Sequence, residues 1–182
     1  MKPRFNEVKA TQAAAQLLRL RGGRMSYIKL IKLLYLADRE ALIRWGRPIT
    51  TDRFVSMDDG PVVSRIYDLI RNEPSPGSVN TWGKFISVPE DYEVRLLGDP
   101  GSGELSSAEG QLIDEVFEQH GEDSRWAIVN FSYSLPEWTR PEGGAAAIEY
   151  RDILRAAQKS EAEISAIEED LESLALVECV LT

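Results

Sequence analysis

The chain has 182 residues, 43% of them hydrophobic and 28% charged, and a formal net charge of −9. That length suffices for one domain with its own core, and no apolar run approaches the ~20 residues that a membrane-spanning helix needs. A single histidine, His120, and a single cysteine, Cys179, exclude an intramolecular disulfide and a Cys/His zinc site, so neither metal nor cofactor is expected.

The first ten residues, MKPRFNEVKA, are too polar for a signal peptide, which makes the cytoplasm the expected location. Charge is unevenly divided: residues 1–47 hold eleven of the 21 Lys and Arg but three of the 30 acids. Such asymmetry fits self-complementary packing, a charged partner surface, or two solvated faces.

Phe5 to Leu20 reads as an amphipathic helix with Val8, Ala15 and Leu18 on its apolar side, closed by Gly22-Gly23. Winding residues 27–45 at about 100° per residue puts Lys29, Lys32, Arg39, Glu40 and Arg44 on one side and apolar residues, Trp45 among them, on the rest. So wide an apolar arc marks a buried central helix, and a buried helix cannot fill a major groove. The nearby Arg19, Arg21 and Arg24 therefore do not make nucleic acid an expected partner.

Asp38 interrupts that arc, so its carboxylate is expected to be buried and paired. Arg53, Arg65 and backbone N–H groups near Asp59-Gly60 are the donors closest in sequence. A structural acid tying helix to loop is favoured over a catalytic one, because structural networks perturb carboxylates too.

Gly46-Arg47-Pro48 ends the helix, and Arg53 to Met57 follows as a strand. Asp58-Asp59-Gly60-Pro61 reads as a helix-cap turn, with Pro61 in the first turn and Val62, Ile66 and Leu69 at helical spacing. Glu73 to Gly83 has the composition of an exposed loop, in which Trp82 either packs back on the body or anchors a partner. Lys84 to Val88 and Tyr92 to Leu97 read as a hairpin that joins the Arg53–Met57 strand in a small antiparallel sheet. The loop GDPGSG at 98–103 lacks the ending of a phosphate-binding loop and reads as a connector.

A Ser106/Glu109 capping box opens a helix that Gly121 stops, with His120 at its end. A shorter helix runs from Ser124 through Tyr133, Leu135–Trp138 breaks the chain, and Ile148 to Ala157 is helical after a loop. A second box, Ser160/Glu163, opens a last helix whose stripe is Ile164, Ile167, Leu171 and Leu174 and whose other face is acidic, followed by an apolar tail containing Cys179. The expected fold is α+β and mostly α: a helical domain around a buried central helix, with a small antiparallel β-sheet.

Three stretches, KLLYLADRE at 32–40, RWGRPITTDRFVSM at 44–57 and DGPVVSRIYDLI at 59–70, resemble the SocA-like antitoxin domain, also called the Panacea domain, of toxin–antitoxin and phage-associated proteins. The resemblance extends more loosely through Leu135–Trp138 and Tyr150–Ala157, so it spans about Ser26 to Ala157. Asp59 and the run Phe131–Ser134 stand where this family often carries histidine, so no acid–base or metal role is carried over to them.

The resemblance implies a non-enzymatic protein of phage defence that binds and neutralises a cognate toxin encoded by an adjacent gene. One alternative is a proteolytic adaptor that delivers a toxin to a protease. A second is a hydrolase built on the carboxylates Asp38, Asp58 and Asp59. Residues 1–159 are expected to form the antitoxin domain and 160–182 an acidic helix and tail packed on it. Trp82, Leu171, Leu174, Val177 and Val180 are the candidate toxin contacts, since an amphipathic helix can dock its apolar stripe while its acids steer toward a basic surface.

Overall fold

The computed structural model describes residues 1–182. Helix α1 (Glu7–Leu20) is capped by Asn6, whose side chain accepts the Lys9 N–H at 2.9 Å. Strand β1 (Arg24–Ser26) leads into α2 (Tyr27–Trp45), which ends on Gly46 in the left-handed conformation at φ 73°. Next come strands β2 (Phe54–Met57) and β3 (Gly60–Val63), then helices α3 (Ser64–Ile70) and α4 (Trp82–Phe85) and strand β4 (Glu93–Arg95). Helices α5 (Ser107–His120) and α6 (Arg125–Tyr133), strand β5 (Ala146–Ile148), and helices α7 (Tyr150–Ala156) and α8 (Glu161–Val180) complete an α+β, mostly helical fold. None of these helices is long and apolar enough to cross a membrane.

Helix α2 is the centre. Every residue from Lys29 to Asp38 is buried, including both lysines of its polar side. The Lys29 ammonium donates to the Gly121 carbonyl just past α5, and the Lys32 ammonium to the Pro61 carbonyl at 2.8 Å. Burial pushes the Lys32 ammonium down to about 8, against the opposing pull of Asp59. Trp45, expected inside, is 45% exposed instead.

Two small sheets form rather than one. Strand β4 pairs with β1, Met25 facing Val94, and not with β2. The expected hairpin strand at 84–88 is reduced to one bridge, Ile86 to Leu96, because Trp82–Phe85 coils into α4. The second sheet has the order β3-β2-β5, with β2 facing β3 (Phe54 opposite Val63) and β5 (Phe54 opposite Ile148). The turn at Asp58-Asp59 therefore joins two strands and does not begin a helix. Pro61 is tolerated there because β3 is an outer strand, where a missing N–H costs least; α3 starts only at Ser64.

Apolar burial is continuous through 35 residues, from Ala10 of α1 to Leu171 of α8. Within it Tyr35 meets Phe54 edge-on at 5.2 Å, and Phe54 meets Tyr150 at 5.3 Å, tying α2, β2 and α7 together. The basic first segment lies on the acidic remainder through Lys2–Glu149, Lys9–Glu109, Arg24–Glu93 and Arg44–Glu115. Part of the charge asymmetry is thus self-complementary packing. Both serine capping boxes are formed, Ser106 with Glu109 and Ser160 with Glu163.

Candidate partner-binding surface and the motif residues behind it

Asp38 is 1% exposed, but its partners are not arginines. Thr50 supplies both, its backbone N–H to Oδ1 at 3.0 Å and its hydroxyl to Oδ2. The turn after Pro48 brings Thr50 back over α2, and a neutral hydroxyl with a backbone amide meets the need of a carboxyl that burial pushes up to about 7. The backbones of Arg53 and Arg65 go to a second buried acid, Asp52, whose Oδ1 accepts both N–H groups, at 2.6 and 2.9 Å, while Oδ2 accepts that of Ile66 at 3.0 Å. Burial pushes Asp52 up to about 6, against those backbone donors.

A third acid, Glu137 of the Leu-Pro-Glu-Trp run, accepts the Tyr35 hydroxyl at 2.8 Å and a two-pronged Arg39 guanidinium at 2.6 and 3.2 Å. The motif residues of α2 are therefore struts. Tyr35 and Arg39 hold residues 135–138, Asp38 holds the turn at 50, and the following Asp52 holds the start of α3.

These raised carboxyls set a pH dependence. An unfolded Asp38 titrates near 3.8 and the folded one near 7, so the stability it contributes is full below 3.8 and is lost as pH rises through 7, by at most about 1.4 kcal/mol per pH unit. Asp52 acts in the same direction. Glu7 and Glu168 are lowered and act oppositely, but their contribution is already complete above 4.5. Urea melts between pH 5 and 7 are expected to show stability falling with pH. Asp38→Asn, which mimics the protonated acid, is expected to flatten that slope by about one proton; an unchanged slope would show Asp38 to be ionised throughout.

The three carboxylates of the hydrolase alternative do not converge. Asp38 faces Thr50 inside, whereas Asp58 and Asp59 are exposed at the β2–β3 turn, Asp58 3.8 Å from Arg140 and Asp59 beside Tyr133. No three His, Cys, Asp or Glu side chains are grouped to hold a metal ion. Gly60 sits where a side chain would meet the buried Ser132 hydroxyl and the Lys32 ammonium. Cys179 is exposed on α8, and His120 packs on Phe131 at 4.5 Å with Asp123 beside it.

Of the candidate contacts, Trp82 is 3% and Leu171 5% exposed, so neither is free to meet a partner. Trp82 is held down because Glu7 accepts its N–H and those of Val79 and Thr81, drawing α4 onto α1. Leu174 is half-buried, while Val177 is 54% and Val180 84% exposed. A second exposed surface was not legible beforehand: Tyr92 and Trp126 are about equally open, and the Arg125 guanidinium stands 5.6 and 4.8 Å from their rings. Its only signal was Arg125-Trp126 at the start of a short helix.

No curated protein and no solved structure matches the chain. The family model described as antitoxin SocA-like, Panacea domain, matches residues 30–139, a span that holds Tyr35, Asp38, Arg39, Thr50, Asp52 and Glu137. It covers more than half of the chain and contains the whole set of struts, and the chain belongs to the SocA-like antitoxin family of Panacea domains.

Proposed function

We propose that the chain is an antitoxin that neutralises a cognate toxin stoichiometrically by direct protein contact, without turnover, and that α8 supplies the contact. The family carries the toxin–antitoxin part of this reading. The contact rests on one observation: α8 is anchored by Ile164, Ile167 and Leu171, yet exposes Leu176, Val177 and Val180 within its last turns and Leu181 just past them, C-terminal to the exposed acids Glu169, Asp170 and Glu172. An apolar edge flanked by acids suits a partner with a basic surface. Because α8 lies beyond the matched span, we assign residues 160–182 as the element adapted to one toxin, on a scaffold formed by 1–159.

The adaptor alternative has its own support, since an adaptor needs two separate surfaces. Val177 and Val180 are exposed on α8, and Tyr92 and Trp126 are exposed on other elements, beside β4 and on α6. The Tyr92–Trp126–Arg125 patch has the composition of interface hot spots.

Both readings are tested by co-expression with the product of the adjacent gene. Val177→Asp with Val180→Asp is expected to leave stability within about 0.5 kcal/mol, both sites being exposed, while abolishing capture of the toxin and growth rescue. Full rescue by this variant would remove the α8 contact. Rescue at a small molar fraction of antitoxin would remove stoichiometric binding, and rescue that requires a protease and is lost with Trp126→Ala would establish the adaptor.

A further inference from the structure

A cleft of about 980 Å³ opens between the segment before α1, the 75–79 loop, the start of α3 and the last turn of α8. Arg4, Arg53 and Arg65 line it, and none of the three has a carboxylate partner, whereas arginines elsewhere, such as Arg39, Arg44 and Arg151, are paired.

Their placement is fixed from beneath. The backbone N–H groups of Arg53 and Arg65 converge on one oxygen of Asp52, the Tyr150 hydroxyl donates to the Asp52 carbonyl at 2.8 Å, and the Thr51 hydroxyl donates to the Arg4 carbonyl. All three arginines thus hang from residues 51–53. Thr51 itself has φ +55°, a left-handed conformation that a β-branched residue adopts only where its surroundings over-determine it.

None of the acids lining the cleft forms an ion pair with these guanidinium groups, each being engaged by another donor. Asp52 is buried with both oxygens taken by backbone, and Glu7 has both taken by Ser78, Val79, Thr81 and Trp82. Glu178 accepts the Arg4 N–H at 2.9 Å, and Lys2 is committed to Glu149. Three guanidinium groups without ion-pair partners on the wall of one cleft attract an oxyanion. Guanidinium forks match phosphate oxygens two at a time. The volume is at the upper end for a small-molecule site and larger than one phosphate needs. A chain of net charge −9 with an acidic α8 beside the cleft disfavours an extended polyanion and leaves a small ligand.

We propose that the Arg4–Arg53–Arg65 cleft binds a small phosphate-bearing molecule, at a site bordered by Glu178 and Leu181 at the α8 end where the proposed toxin contact lies. Calorimetric titration of the full chain with inorganic phosphate, pyrophosphate, adenosine triphosphate and hexaglutamate tests it. The triphosphate is expected to bind at least tenfold more tightly than inorganic phosphate, and hexaglutamate more weakly than either phosphate chain. Arg53→Ala with Arg65→Ala is expected to weaken triphosphate binding at least tenfold, while Arg21→Ala, also unpaired but outside the cleft, leaves it unchanged. If the double variant melts early, Arg4→Ala, an exposed truncation, decides in its place. Absence of saturable binding at millimolar ligand, equal loss in Arg21→Ala, or undiminished binding in the cleft variants would overturn the proposal. Hexaglutamate binding as tightly as the triphosphate would also overturn it and would assign the cleft to an acidic peptide.

Discussion

Glu137→Ala is expected to lower folding stability by about 3–5 kcal/mol, because it leaves a guanidinium and a hydroxyl buried without an acceptor. The Glu137 side chain is 0% and the Arg39 side chain 15% exposed, and the Tyr35 ring is sealed in the core. Arg39 has little room to reach water once its partner is gone. Glu137→Gln keeps an acceptor for Tyr35 but loses the charge, and falls between the wild type and the alanine variant. Urea denaturation at pH 7 measures both. A loss below about 1 kcal/mol would mean that Arg39 swings out and that the strut is dispensable. The double variant Arg39→Ala with Glu137→Ala is expected to be less destabilised than the sum of the singles, since the stranded charge is removed with its partner.

Gly60→Ala is the second large effect, about 2–4 kcal/mol. At φ +96° any Cβ is strained, and here it would overlap the Ser132 hydroxyl and lie 2.9 Å from the Lys32 nitrogen, both buried. Gly77, at φ +89° with nothing within 4 Å of a Cβ, separates the two causes. Gly77→Ala carries the backbone strain alone, so the difference between the two melting curves is the packing part. Adding Ser132→Ala to Gly60→Ala is expected to recover some of that difference; no recovery would place the clash on Lys32 and the backbone.

Helices α1, α2, α5 and α8 were legible because periodicity and caps agree: a Ser-x-x-Glu box or a closing glycine marks an end that the apolar spacing also marks. Strand β3 was not, because Gly60-Pro61 carries the same local signal whether it opens a helix or runs along an outer strand. What decides is the pairing of Ser56 with Pro61, a tertiary fact. Strand β5 is three residues, Ala-Ala-Ile, with no alternation to read; β2 supplies its conformation.

The helical wheel of α2 sorted polar from apolar residues but could not reveal that carbonyls at Gly121 and Pro61 cover Lys29 and Lys32. Asp38 could be read as buried from its place in the arc. Its partner could not, because a search for opposite charge passes over a threonine twelve residues away. The exposed edge of α8 followed from an apolar run continuing past the last buried heptad position, whereas Tyr92 and Trp126 come together only once β4 and α6 are in place.

The central strand β2 has a consequence for how the chain is made. One of its edges is closed at once by β3, but the other waits for Ala146–Ile148, about 90 residues later. At ordinary synthesis speeds of roughly 5–20 residues per second, that edge stays open on the ribosome for about 5–20 s. During that interval Phe54 lacks Ile148 and Tyr150 against it, and the Asp52 carbonyl lacks its hydroxyl donor. The nascent protein is most vulnerable to proteases and to misplaced strand pairing in that window, and the arrival of α7 closes it.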